Sequence, residues 1–291
     1  MASAPILDNK FPKAPSVFEP TALLREARRQ KRLDDVPAPS ICILDPDGDI
    51  VRGLRQTGLA RPMAAWACYH TELDRFELAG CEVGIVGRAV GAPFAVLVAE
   101  ELFASGCRLL ISVTSAGLVT PAGAPPYFVV LDRAVRDEGT SYHYVPPEDY
   151  AEASPDLIET AVRALAGMDV RVGASWTTDA PFRETAEAID AMRKKGILAV
   201  EMEASALYTF ARVKDQRVLC LAHVTNSMGL SGDDFEKGEA DGVAGALKVL
   251  KAIVRSVPEF SVVAGVLSKH ADKFRKSSLN CFVAANQRVT P

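Results

Sequence analysis

The chain has 291 residues, of which 48% are hydrophobic and 24% are charged, a composition typical of a globular protein with a sizeable core. Its formal net charge is −4, which makes a polyanionic nucleic acid an unfavourable partner. No run of about 18 apolar residues predicts a membrane-spanning helix, and the first residues lack the apolar segment of a signal peptide. We therefore expect a cytoplasmic protein that has neither a nucleic acid nor a membrane as partner.

Both ends of the chain differ in composition from the region between them. Residues 1–36 predict an N-terminal arm, in which a proline-punctuated segment precedes one charged helix from Thr21 to Arg32. Residues 259–291 predict a solvated surface tail at the C-terminus. One folded domain is expected between them, over residues 37–258.

In this domain, short β-rich segments alternate with helical ones. The predicted strands are Ile41 to Leu44, Glu82 to Val86, Arg108 to Val113, Tyr127 to Leu131, Val170 to Trp176, Leu198 to Val200 and Arg217 to Thr225. The predicted helices are Ala92 to Ser105, Pro155 to Ala166, Glu184 to Lys195, Glu203 to Val213 and Gly242 to Val257. This alternation predicts a single α/β domain with a central mixed, largely parallel sheet flanked by helices.

The cysteines are scattered along the chain, and none forms a Cys-x-x-Cys pair. Their spacing fits neither a zinc knuckle nor a disulfide framework, so we expect reduced, mostly buried thiols and no metal. They are Cys42, Cys68, Cys81, Cys107, Cys220 and Cys281.

Ligands of such sheets bind beyond the carboxyl ends of the strands, and three predicted junctions carry suitable residues there. At the first, Gly87 and Gly91 either let a ligand approach the amides of the next helix or serve the turn alone. At the second, the small residues Thr114 to Gly117 form either an anion-binding nest or a plain β-turn. At the third, Asp179 is either a ligand group or a turn residue.

The segment AVEMEASALYTFA predicts a helix with a carboxylate on its buried face. Three apolar residues follow Glu203 at helical spacing and share its stripe: Ala206, Leu207 and Phe210. Because an unpaired buried charge is costly, Glu203 is expected to be in an ion pair, to be protonated or to accept hydrogen bonds from ligand hydroxyls. Glu201 points elsewhere and is either a further ligand group or a structural partner.

At this point the motifs resemble a known family. V-E-M-E-A-S-A-L-Y-T-F-A, Val200 to Ala211, is similar to the signature of the nucleoside phosphorylase and nucleosidase superfamily. That superfamily includes uridine phosphorylase, hexameric purine nucleoside phosphorylase and methylthioadenosine or adenosylhomocysteine nucleosidase. Val83 to Gly117, Thr177 to Phe182 and Val224 to Asn226 resemble further family segments in order and spacing.

The resemblance implies a nucleoside phosphorylase-like catalytic domain that cleaves the N-glycosidic bond and assembles as a dimer, trimer or hexamer. Glu203 would accept hydrogen bonds from ribose hydroxyls and stabilise an oxocarbenium-like sugar, and Met202 would pack against that sugar. Phe182 would stack on the base, whose edge Asn226 would contact. The other residues expected to bind substrate are Glu201, Asp179, Ser115 and Gly117.

The phosphate-binding residues depart from the family pattern. Phosphorolytic relatives carry a P-G-D-P loop and then an arginine, whereas this chain has Asp-Pro-Asp-Gly-Asp at residues 45–49 and then Arg52. Ser112 replaces the arginine that such relatives carry before the S-A-G strand end. The candidate phosphate ligands are Arg52, Arg88, Ser115 and Gly87.

Three functions stay open at this stage. Attack by phosphate makes the chain a nucleoside phosphorylase, a pentosyltransferase with inorganic phosphate as co-substrate and no cofactor. Attack by water makes it a nucleosidase, and loss of nucleophile activation leaves a non-catalytic nucleoside-binding protein. The retained Ser115, Gly117 and arginines favour phosphorolysis, and Asn226 favours a purine base and a role in purine salvage.

Overall fold

A computed structural model describes residues 5–226 and 237–257 of the chain. The strands are β1 (Ile41–Asp45), β2 (Arg61–Pro62), β3 (Asp74–Leu78), β4 (Cys81–Gly87), β5 (Leu109–Leu118), β6 (Tyr127–Asp137), β7 (Tyr150–Glu152), β8 (Val170–Thr178), β9 (Ala199–Glu201) and β10 (Val218–Asn226). The α-helices are α1 (Pro20–Lys31), α2 (Asp49–Gln56), α3 (Ala92–Ala104), α4 (Pro155–Ala164), α5 (Ala186–Lys194), α6 (Ala204–Lys214) and α7 (Val243–Ser256). Short 3-10 helices cover Pro5–Leu7, Ser141–His143 and Pro181–Arg183.

Five strands close into a ring, and four more extend the sheet from one side of it. The ring runs through β10, β6, β8, β9 and β5 and returns to β10, because β5 pairs with both β9 and β10. From β5 the sheet continues through β1, β4, β3 and β2, while β7 pairs with β6. The predicted mixed sheet is confirmed, although antiparallel pairs are as numerous as parallel ones among the described strands.

Helices cover both faces of the sheet. On one face lie α3, which is apolar on nearly all sides, and α6. On the other lie α2, α4 and α7. Helix α7 buries a stripe with helical spacing, formed by Ala246, Val249, Leu250, Ile253 and Val254. This layering confirms the predicted α/β class.

The two ends of the chain differ in how much of them the structure describes. In the arm, α1 buries Leu24 and Ala27 against Ala67 of the domain. The predicted tail, with Cys281, lies outside the described residues, and the other cysteines form no disulfide. Within the described ranges, no helix is long and apolar enough to cross a membrane.

The structure contains four short elements that the sequence did not predict: α2, β2, β3 and β7. Helix α2 follows directly on the turn of residues 45–48, whose aspartates and glycine indicated a loop. Strand β3 has the charged sequence DRFEL and pairs only with β2 and β4 near the edge of the sheet. Helix α2 has only 8 residues and β3 only 5, so neither is long enough for a clear periodic pattern.

Tyr208→Phe is expected to lower the free energy of unfolding. The buried Tyr208 hydroxyl donates to the carbonyl oxygen of Leu131 at 2.6 Å and accepts from the amide of Cys220 at 2.9 Å. Without the hydroxyl both buried groups lose this partner, at a cost of about 1–3 kcal/mol, measured by urea unfolding. The matched control is Tyr69→Phe, because the Tyr69 hydroxyl makes an exposed bond to Gln30. An equal decrease in the free energy of unfolding in both variants would mean that the buried hydrogen bonds of Tyr208 do not stabilise the fold.

Candidate active site

The carboxyl ends of β1, β4, β5 and β10 meet at one edge of the sheet. Asp45 at the end of β1 lies opposite Gly87 at the end of β4. On β5, Gly117 lies opposite Asn226 of β10 and opposite Val200 of β9. The register of the strands therefore brings together the junctions that the sequence singled out.

Glu201 ends β9 and holds the start of α6 in place. Its Oε2 accepts from the amides of Glu203 and Ala204, both at 2.7 Å. Its Oε1 accepts from the hydroxyls of Ser175 at 2.9 Å and Thr177 at 2.5 Å. Because protein donors occupy both oxygens, the geometry favours the structural alternative for Glu201 over direct contact with substrate.

Glu203 is the residue immediately before α6, not a residue within the helix as predicted. Its side chain is buried as expected, with a residue exposure of 1%. Its Oε1 accepts from the amide of Gly91, with an N–O distance of 2.7 Å. Its Oε2 is buried and accepts no hydrogen bond among the described residues, and the nearby Thr114 hydroxyl donates to the carbonyl oxygen of Ser115 at 3.3 Å instead. The burial thus comes from the position at the helix start, which faces the turn after β4.

The surroundings of Glu203 oppose its ionisation. Burial raises its pKa, and the neighbouring Glu201 carboxylate raises it further. The amide of Gly91 and the hydroxyl of Thr114 act in the other direction, because they favour the ionised form. A ligand that brings hydroxyl donors to Oε2 would supply the missing partner. The geometry thus favours a polar ligand over a buried ion pair.

The sequence predicted either an anion-binding nest or a plain β-turn at residues 114–117. In the structure, the amide and the hydroxyl of Ser115 form a nest. A single side chain of the same molecule occupies both donors. The Ser115 amide donates to Asp47 Oδ2 at 2.6 Å, and the Ser115 hydroxyl donates to Asp47 Oδ1 at 2.7 Å. The nest therefore binds a carboxylate, which supports its expected preference for an anion.

Two buried titratable groups lie near this nest. Burial raises the pKa of Asp45 to about 7, although its carboxylate accepts from the amides of Gly48 and Val51. Burial also lowers the pKa of His223 to about 4, and the imidazole stacks on Phe128 with ring centroids 4.3 Å apart. His223 is therefore uncharged at neutral pH and contributes no positive charge to the site.

The two candidate phosphate arginines differ in their partners. Arg52 pairs with Asp49 at 2.7 Å and with Asp241 at 2.8 Å. Arg88 has no acidic partner in the part of the chain that the structure describes, and it packs over Gly48 so closely that a Cβ there would lie 2.8 Å from the arginine Cγ. Arg88 also has a φ of 67°, a left-handed conformation that is uncommon outside glycine and occurs at functional sites. Arg88 is thus the candidate that is available to an anion.

The remaining predicted residues differ in their surroundings. Asp179 accepts from the amide of Gly139 at 2.8 Å, which favours the turn alternative. Phe182 lies on a short 3-10 helix and is 99% exposed. Met202 and Asn226 are half-buried, the first beside Glu203 and the second at the end of β10.

Sequence reasoning missed the two contacts that define this site. Gly91 was expected to approach a ligand or serve a turn, and its amide instead binds Glu203, which lies 112 residues away in sequence. Asp47 was noted only as part of the loop that departs from the family pattern, and it binds Ser115 directly. The only sequence feature that pointed to these contacts was that both residues lie in turns that follow predicted strands.

Comparisons with known proteins identify the family of this chain. Residues 41–255 match the phosphorylase superfamily. A uridine phosphorylase of Thermococcus kodakarensis is 28% identical over 211 residues, 66% of this chain and 74% of that protein. A guanosine phosphorylase of Halorubrum lacusprofundi is 28% identical over 179 residues, 58% of this chain and 74% of that protein. A DeoD-type purine nucleoside phosphorylase of Proteus mirabilis is 31% identical over 151 residues, but this chain spans only 63% of its length.

A solved structure shows the same fold. The crystal structure of a uridine phosphorylase from Vibrio fischeri ES114 matches this chain with a TM-score of 0.62 at 22% identity, over 77% of this chain and 91% of that one. The fold and the family match together define an α/β protein of the nucleoside phosphorylase type. The chain belongs to the phosphorylase superfamily, as its E-M-E motif and glycine turn indicated.

Glu203→Gln is expected to stabilise the folded chain, and more so at alkaline pH. Because folding raises the pKa of Glu203, the folded state binds this proton more tightly than the unfolded state. The carboxyl group therefore costs stability once the pH rises above its unfolded pKa, whereas the amide does not titrate. Urea unfolding at about pH 5 and about pH 8 should show the gain over wild type growing by at least about 1 kcal/mol.

Glu201→Gln is the matched variant for this measurement. The same substitution two residues earlier puts an amide donor against groups that already donate, the hydroxyls of Ser175 and Thr177. We expect it to lower the free energy of unfolding by about 1–3 kcal/mol at about pH 5, where Glu203→Gln causes no such loss. Similar losses for both variants would mean that Glu203 is as well paired as Glu201.

Proposed function

We propose that this chain is an enzyme that cleaves the N-glycosidic bond of nucleosides by phosphorolysis, releasing a free base and ribose 1-phosphate. The observation that carries the proposal is the buried carboxylate of Glu203, whose Oε2 has no donor among the described residues. Membership of the superfamily and the uridine and guanosine phosphorylases among the relatives support the same reaction.

Glu203 accepts hydrogen bonds from ribose hydroxyls in the proposed complex. When the bond from C1′ to the base nitrogen breaks, its electron pair leaves with the base and the sugar becomes oxocarbenium-like. A carboxylate below the sugar stabilises this positive charge more than it stabilises the neutral nucleoside, which lowers the barrier. Met202, half-buried beside Glu203, packs against the sugar.

Phosphate is the proposed nucleophile, and one of its oxygens forms the new bond to C1′. Arg88 supplies positive charge, because no described carboxylate neutralises it. The amide and hydroxyl of Ser115 donate to the phosphate, next to the backbone of Gly87 and Gly117 at the ends of β4 and β5. Arg52 is a weaker candidate, since two carboxylates already pair with it.

Asn226 and Phe182 are the proposed base-contacting residues. The amide of Asn226 can exchange hydrogen bonds with a base edge but cannot protonate it. We propose a purine base and a place in purine salvage, because Asn226 stands at the position where purine-handling relatives carry a base-contacting Asp or Asn. Phe182 is an exposed aromatic ring beyond the end of β8, where it can stack on the base.

We extend the proposal to a cytoplasmic homo-oligomer that needs no metal or cofactor. The arm supports self-association, because Phe11 and Phe18 expose 73% and 70% of their surface there. Burial of these rings against a second copy would remove apolar surface from water.

Hydrolysis is the second candidate function. It is favoured by the contact between Asp47 and Ser115, because this contact occupies the two hydrogen-bond donors that phosphate would use.

The deciding assay measures base release from purine and pyrimidine nucleosides with and without inorganic phosphate. Phosphorolysis predicts that release stops without phosphate and that ribose 1-phosphate accumulates with it. Equal release in both buffers would identify a nucleosidase, and binding without release would identify a binding protein.

Glu203→Ala is expected to lower kcat by about 100-fold to 1,000-fold, or roughly 3 to 4 kcal/mol, because it removes an interaction that strengthens in the transition state. Steady-state base release measures the effect, with circular dichroism as the check on folding. Glu152→Ala is the control, since that exposed carboxylate lies on β7. Near-normal turnover of Glu203→Ala would exclude the ribose contact.

Arg88→Ala is expected to raise the KM for phosphate at least about tenfold, while the KM for the nucleoside stays nearly unchanged. Arg52→Ala is the matched variant and should have a smaller effect, because Asp49 and Asp241 already neutralise that guanidinium. The reverse order of the two effects would assign the phosphate contact to Arg52 instead.

A further inference from the structure

We propose that Asp47 competes with phosphate for the donors of Ser115 and thereby sets the affinity of the enzyme for phosphate. The inference rests on the proposed function, in which phosphate is the nucleophile. It goes beyond that function because it gives a specificity-determining role to a residue that would not itself contact the nucleoside.

The first support is the geometry of the contact. Asp47 uses both carboxylate oxygens on one residue, accepting from the Ser115 amide at 2.6 Å and from its hydroxyl at 2.7 Å. These are the distances of charge-assisted hydrogen bonds. An amide and a hydroxyl that each donate one hydrogen cannot serve a carboxylate and a phosphate at full strength together. Binding of one anion therefore opposes binding of the other.

The second support is the space around the contact. The cavity that remains between Asp47, Ser115 and His223 has a volume of about 20 Å³. A cavity of this size has room for roughly one water molecule, which is too little for a phosphate. Phosphate can therefore occupy the nest only where the Asp47 side chain now lies.

The third support is the distribution of charge. Two cations beside this loop are engaged by other carboxylates: Lys237 and Arg52 both pair with Asp49, and Arg52 also pairs with Asp241. In the described ranges, Asp47 itself has no donor other than Ser115. The nest is thus the one place that holds this carboxylate, and its negative charge repels an incoming phosphate.

The fourth support is that Asp47 can leave without disrupting the core. Its side chain is exposed, while the neighbouring Pro46 and Gly48 are buried. Gly48 has a φ of 79°, so the chain turns here in a conformation that suits glycine, directly below Arg88. Departure of the carboxylate toward solvent would leave Ser115 and Arg88 as a donor pair and a cation for phosphate.

The test is a calorimetric titration of inorganic phosphate into the wild-type chain and into Asp47→Ala. We expect Asp47→Ala to bind phosphate at least about tenfold more tightly. In the base-release assay, its KM for phosphate should fall by a similar factor while the KM for the nucleoside changes by less than about twofold. A merely structural role of Asp47 would not separate the two KM values in this way.

Three further variants sharpen the result. Asp47→Asn keeps the side-chain shape without the charge, so it should bind phosphate with intermediate affinity and serves if Asp47→Ala does not fold. Glu152→Gln removes one exposed negative charge on β7 and should leave the phosphate affinity near wild type. Asp47→Ala combined with Arg88→Ala should lose most of the gain, because the cation is then missing.

The outcomes separate this inference from the proposed function. Equal or weaker phosphate binding by Asp47→Ala and Asp47→Asn, or no binding by any of the proteins, overturns the role of Asp47. Tighter binding by Asp47→Ala without base release from any nucleoside supports that role and overturns phosphorolysis instead.

Discussion

The buried carboxylate of Glu203 is the feature on which the rest of the site depends. The amide of Gly91 binds one oxygen, and the other oxygen has no donor in the described part of the chain. Glu201 accepts the first amides of α6 and so fixes the backbone from which Glu203 projects. The two carboxylates therefore differ in their roles. Protein donors occupy both oxygens of Glu201, whereas Oε2 of Glu203 can still accept a hydrogen bond from a ligand.

Negative charge accumulates around this carboxylate, and that limits how a phosphate can be bound. Asp45, Asp47 and Asp49 lie on the loop after β1, and burial keeps His223 uncharged. Arg52 is neutralised by its carboxylate partners, so the positive charge available to an anion comes from Arg88. In the proposed complex, a phosphate therefore has to displace the Asp47 carboxylate from Ser115 before it can bind there.

Patterns within short segments predicted much of the fold and part of the site. The apolar strands and the α/β class follow from local spacing, and the E-M-E motif indicated the family. The burial of Glu203 was predicted, but it comes from the position before α6 and not from an apolar stripe of that helix. Contacts between distant segments could not be predicted, since no spacing rule links Gly91 to Glu203 or Asp47 to Ser115, which lie 112 and 68 residues apart. The closure of β5 against both β9 and β10 depends on the same kind of long-range pairing.

The most direct test of the ribose contact is a crystal structure of the chain with a bound nucleoside and no phosphate. The account predicts that ribose hydroxyl oxygens lie about 3 Å from Glu203 Oε2, while Oε1 keeps its bond to the amide of Gly91. A nucleoside bound with its sugar away from Glu203, or a Glu203 Oε2 that accepts from a protein donor in that complex, would contradict it.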